Sequence, residues 1–122
     1  VKQRARVLEG VRDYGIAFKA TAGLHHPVRH FHEPVDTDMF GFFNVFGAGL
    51  LAYAHALSID EITEIVRDKD PDSFRFTENA FAWKDLEIPS EEIKQLRERA
   101  LISYGSCSFD EPREDLRHMG LL

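Results

Sequence analysis

Disulfides, a surplus of positive charge and an unbroken membrane-length run are all missing from this 122-residue chain, and each absence narrows its class. Cys107 is the one cysteine, so no internal disulfide can form and the composition suits a reducing cytoplasm. Lysine and arginine number 15 against 21 acids, a net charge of -6. Nonspecific binding to nucleic acid or to an anionic membrane needs a positive field, so neither partner is expected. The longest apolar stretch, residues 39–57, contains Asn44 and His55, is interrupted by Gly41, Gly47 and Gly49, and has Asp36, Asp38 and Asp60 at its edges instead of basic anchors. Those flanks oppose the transmembrane pattern, and the stretch reads as a buried helix. No internal repeat, low-complexity linker or secretory signal is visible.

The length suits one domain. The chain opens on Val1 with a helical pattern already under way, so residues 1–122 are read as a single domain or as the carboxy-terminal piece of a longer enzyme. Ala5, Leu8, Val11 and Tyr14 recur at helical spacing before Gly15, which predicts an amphipathic helix over 2–14. Residues 16–21 read as a short strand covered on both faces, and 24–38, with two prolines, as a long loop at its carboxyl end. The apolar segment after Phe40 lacks a polar face, so it predicts a helix to Leu57 packed on several sides, with Asn44 and His55 as partnered core groups.

Ser58 and Glu61 form a capping-box pattern ahead of the stripe Ile59, Ile62, Ile65 and Val66. Residues 74–76 and 80–83 suggest two short extended pieces. Ser90 is placed to cap a helix carrying Ile93, Leu96, Ala100 and Leu101. Residues 103–112 read as a loop, or a short strand and a turn, before a final helix from Pro112 to about Met119 that Gly120 stops.

Chemistry concentrates in residues 19–32. Lys19 ends an apolar run, small residues and Gly23 follow, and His25, His26, His30 and His32 place four of the six histidines within eight residues. Thr21 and Gly23 would let backbone bend closely around a ligand. A desolvated Lys19 would be a nucleophilic amine that attacks a carbonyl to form a Schiff base, with His25 or His26 moving protons; this needs no cofactor. The plainer alternative is an outward-pointing lysine at a strand end. His30 and His32, two apart on an extended chain, would face one way and offer a divalent metal such as zinc two ligands, with Glu33, Asp36 or Asp38 supplying oxygen. Such a site would activate water for hydrolysis. Around Cys107, the backbone of Gly105, Ser106 and Ser108 would suit an anion, although a tight turn explains the same residues.

Lys19-Ala20-Thr21-Ala22-Gly23-Leu24 resembles the Lys-x-(Ser/Thr)-x-Gly-apolar strand of the deoxyribose-phosphate aldolase type of class I aldolases. That resemblance implies a TIM barrel with Lys19 as the Schiff-base lysine. It covers about seven residues; no second lysine–glycine strand follows Lys19, and the aldolases lack anything like the histidine-rich loop. Residues 19–26 and 105–112 together are similar to the carboxy-terminal part of a group of uncharacterised bacterial proteins that carry Lys-Ala-Thr-Ala-Gly-Leu-His-His and Gly-Ser-Cys-Ser-Phe-Asp-Glu-Pro motifs. This second resemblance implies that the two motifs belong to one protein and brings no activity.

The expected fold is therefore α/β, with a few short parallel strands and covering helices, in the manner of the last part of a TIM-barrel-like enzyme. A full barrel takes about 250 residues. A lone piece would expose Phe42, Phe43, Phe46, Leu50 and Leu51, and would form a homo-oligomer or associate with missing amino-terminal chain. The expected function is lyase- or aldolase-like action on a small polar or phosphorylated carbonyl compound. A metal-dependent hydrolase-like site on the histidine segment and a non-enzymatic oligomerisation domain are the alternatives.

Overall fold

The computed structural model describes residues 1–20, 24–33, 36–104 and 110–122, with only the backbone of His32 and Tyr104. Helix α1 (Lys2–Tyr14) ends where Gly15 turns left-handed (φ 63°) and donates its N–H back to Arg12 and Val11 carbonyls. Ala5 and Leu8 are buried, but Tyr14 is 82% exposed, so the apolar stripe fades over the last turn. Strand β1 (Phe18–Ala20) is shorter than expected and is followed, after the undescribed residues 21–23, by an extended segment through His26. The long loop expected over 24–38 holds a small antiparallel hairpin, β2 (His30–His32) with β3 (Thr37–Met39).

Helix α2 (Phe42–His55) is the centre of the molecule. It packs against α1, α3 (Ile59–Arg67) and the strands β5 (Ala80–Trp83), β6 (Leu86–Pro89) and β7 (Leu101–Tyr104). Asn44 and Leu51 are fully buried, as expected for a helix with no polar face. His55, expected in the core, is instead exposed and bonds the Glu87 carbonyl at 2.7 Å. The Arg12 guanidinium donates to the carbonyls of Ala52, in the last turn of α2, and Leu57, just beyond it, at 3.2 and 2.6 Å, tying α1 to the end of α2. Ser58 and Glu61 complete a capping box at the start of α3.

Strand β4 (Phe74–Phe76), β5 and β6 form an antiparallel sheet; the third strand, which buries Ile88, lies beyond the two extended pieces expected over 74–83. Helix α4 (Ser90–Arg99) begins with Pro89 as its N-cap and no side-chain cap, so Ser90 is the first helical residue and not the cap. Ala100 and Leu101, expected to continue its stripe, leave it: Leu101 opens β7, which pairs in parallel with β1. Helix α5 (Asp110–His118) closes the described chain, with Gly120 at φ 74° just beyond it.

The fold is thus mixed α/β, with five α-helices and short strands in small sheets among the described residues. This is the expected α/β class of a few short strands with covering helices; among the described strands β1 and β7 alone pair in parallel and no barrel closes among the described residues, so the strands are mostly antiparallel where parallel pairing was expected. The expected exposure of α2 is corrected too: Phe42, Phe46, Leu50 and Leu51 are buried at 8, 7, 7 and 0% exposure and Phe43 is half-buried, because α1, α3 and the antiparallel sheet cover them within this one chain. No helix among the described residues is long and apolar enough to cross a membrane.

Candidate active site

The segment carrying His26 is held by the start of α2. The N–H groups of Phe42 and Phe43, two of the donors every helix leaves without helical partners, donate to the carbonyls of His26 and Pro27 at 2.9 and 2.7 Å. Gly41 makes this approach possible. A Cβ there would lie 2.4 Å from the Pro27 oxygen and 2.5 Å from Val28 backbone atoms, so no other residue fits without moving the main chain. One residue on, the Arg29 N–H donates to Asn44 Oδ1 at 2.7 Å, while Asn44 Nδ2 donates to the carbonyls of Ile65 and Asp68. One buried amide therefore ties the histidine segment to α2 and to the end of α3.

The His26 ring is mostly buried, with 16% of its side chain exposed, and lies against α5. Its Nδ1 forms a short contact with Asp115 Oδ2, and its Nε2 lies 3.4 Å from Glu111 Oε2. An ionised carboxylate only accepts, so Nδ1 carries the proton shared with Asp115. The His30 ring packs edge-on against His26, centroids 4.1 Å apart. Beside them Arg29 and Lys69 share Asp38, at 3.3 and 2.7 Å. The hydrogen bond from Lys69 holds the Asp38 carboxyl below its ordinary range, reinforced by the charges of Lys69 and Arg29 and opposed by burial. The buried Arg29 Nη1 finds no acceptor among the described residues. His26, Arg29, His30, Lys69, Asp115 and His118 line a cleft of about 350 Å³.

Of the residues singled out in the sequence, His26 and His30 come together here. Lys19 does not share the cleft's lining: it is exposed on β1, on the face opposite Phe18 and Ala20, and nothing described desolvates it. This departs from a strand covered on both faces, because only the face carrying Phe18 and Ala20 packs against the core. His25 is half-buried. Of the expected metal ligands, His30 turns to His26 and to the Val28 carbonyl, Asp36 sits exposed in the hairpin turn at φ 49°, and the His32 side chain lies outside the described residues. No group of three side chains fit to hold a metal assembles among the described residues. Thr21, Gly23, Gly105, Ser106 and Ser108 also lie outside the described residues.

Asp115, Arg29, Lys69 and Gly41 were not singled out as site residues. Asp115 stands 89 positions from His26 in an ordinary charged helix, so no local pattern marks it. Arg29 alone carried a signal, as a cation set among histidines. Comparison of the chain with protein-family models, curated proteins and solved structures finds no match.

Proposed function

We propose that the cleft beneath α5 is an acid–base site for a small polar or phosphorylated carbonyl compound. The observation that carries this reading is the His26–Asp115 pair at the edge of a cleft of about 350 Å³, within the range that holds small molecules. Asp115 fixes the tautomer and orientation of the ring, which directs the Nε2 lone pair toward proton transfer. Nε2, the atom that takes up the proton, lies 3.4 Å from Glu111 Oε2, which is placed to receive it or pass it on. Arg29, with Nη1 still lacking an acceptor among the described residues, and Lys69 supply donors for a carbonyl, carboxylate or phosphate oxygen. Exposure of Lys19 leaves its amine without the desolvation a Schiff base requires, so proton transfer at His26 is preferred over imine formation.

The test is deuterium wash-in next to the carbonyl, followed by proton NMR in heavy water, over a panel of small aldehydes, ketones and sugar phosphates. The wild-type chain is expected to catalyse exchange in at least one compound, and His26→Gln to lose about 10²-fold or more. Asp115→Asn should lose less, because the base remains and only its orientation is released. No exchange with any member, or exchange that His26→Gln leaves intact, sinks the reading. Borohydride treatment of the same mixtures separates the two chemistries: a reduced adduct on Lys19 would restore the Schiff-base route.

A further inference from the structure

On the other side of α2 lies a second cleft, of about 300 Å³, between that helix, the antiparallel sheet and α4. Phe43, Phe46, Leu50, Phe76, Phe81 and Ile93 make its walls, and among the described residues Arg97 is the one charged residue lining it. The aromatic rings form a connected set, with Phe43–Phe76 and Phe76–Phe81 centroids 4.9 and 5.0 Å apart. Gly47 shapes the floor. A Cβ there would come within 2.8 Å of the Phe81 ring, so its absence lets the tip of that ring reach the helix. Phe76 remains 48% exposed at the rim, although it faces an otherwise apolar surface.

Arg97 decides what this cleft suits. Its guanidinium carbon sits 5.0 Å from the centroid of Phe46, so the charged head lies over an aromatic wall of the cleft. It makes no ion pair or side-chain hydrogen bond among the described residues, whereas Arg12 and Arg29 both do. An apolar cleft closed by a single uncompensated guanidinium is complementary to a molecule with an apolar body and one anionic head. At about 30 Å³ per heavy-atom group, the volume a water occupies in the liquid, there is room for about ten such groups.

We propose that this cleft binds a medium-chain monocarboxylate, its chain among the phenylalanines and its carboxylate on Arg97. The site is separate from the His26 cleft and does not depend on the function assigned there. Decanoate and 1-decanol are the probes, titrated into the full chain by calorimetry. Decanoate is expected to bind saturably at one site and more tightly than decanol. Arg97→Gln should weaken decanoate about tenfold and leave decanol unchanged, Arg97→Lys should restore most of the loss, and Ile93→Phe, which fills the cleft, should weaken both. Circular dichroism checks that each variant folds. If Arg97→Gln does not fold, the decanoate-to-decanol ratio in the wild type and in Arg97→Lys decides.

No saturable binding of decanoate, or equal affinity for the two probes, overturns the proposal. So does sedimentation of the ligand-free chain as a dimer that Ile93→Phe converts to a monomer, which would assign the cleft to a second copy of the chain.

Discussion

Single side chains set the geometry of the histidine cleft from a distance. Asn44 is fully buried and uses both ends of its amide, accepting from Arg29 and donating to Ile65 and Asp68. Asn44→Leu keeps approximate volume but leaves one backbone donor and two carbonyls without their partner, so a loss of about 3 kcal/mol is expected in urea unfolding. A loss under 1 kcal/mol would mean that water replaces the amide. Asp68 adds a pH dependence. Burial, the largest single influence on its carboxyl, raises its pKa, but the Asp70 N–H, the Ser73 hydroxyl, the Trp83 indole and the Lys84 charge together outweigh it and leave it below the ordinary 3.8. A carboxyl depressed in the folded state contributes stability that is present above its unfolded value and lost as pH falls through the folded one. The stability difference between wild type and Asp68→Asn should therefore be largest near neutral pH and shrink on acidification below about pH 3.8; a difference that grows in acid would contradict the assignment. The partnering of Asn44 was legible, because a lone amide in an apolar helix needs partners. Which partners it found was not, since Ile65 and Asp68 reach it only through the packing of α3 on α2.

At the scale of elements, local signals served best where one residue type has one mechanical use. Gly15 ends α1, and the Ser58–Glu61 box starts α3, because a left-handed cap and a reciprocal pair of hydrogen bonds are short-range devices. The strands were harder. Strands β1 and β6 alternate inward and outward residues over only three and four positions, too short a run to separate from chance, and β6 ends on a proline. Leu101 looked like one more turn of α4 and is a strand residue, because its hydrogen-bonding partner is β1, more than 80 positions earlier. Helix α5 is held by Leu116 and Met119 against the core and by the carboxylates of Glu111 and Asp115 at His26. Asp115→Ala is expected to speed amide hydrogen exchange across 110–118 by about fivefold or more while leaving α2 and α3 unchanged, because only local opening is made easier. Equal protection in the two proteins would show that the apolar contacts alone hold the helix.

Across the whole molecule, α2 joins the two clefts, with His26 capped onto its first turn and Phe46, Gly47 and Leu50 lining the second site. Its centre, Leu51, is fully buried, and Leu51→Ala should cost about 3 kcal/mol, read as a lowered urea midpoint common to all probes of folding. A loss seen by one probe and not another would indicate that the helical and sheet sides unfold separately. Taken alone, the sequence determined the helix boundaries at Gly15 and Ser58, the buried character of residues 42–52 and the crowding of histidines after β1, since capping, hydrophobic patterning and composition act between near neighbours. Tertiary structure alone decided that Lys19 faces solvent, that the apolar helix is covered within its own chain, and that Asp115 meets His26. Burial and charge pairing depend on which distant surfaces meet, and short-range patterns along a chain do not specify those meetings.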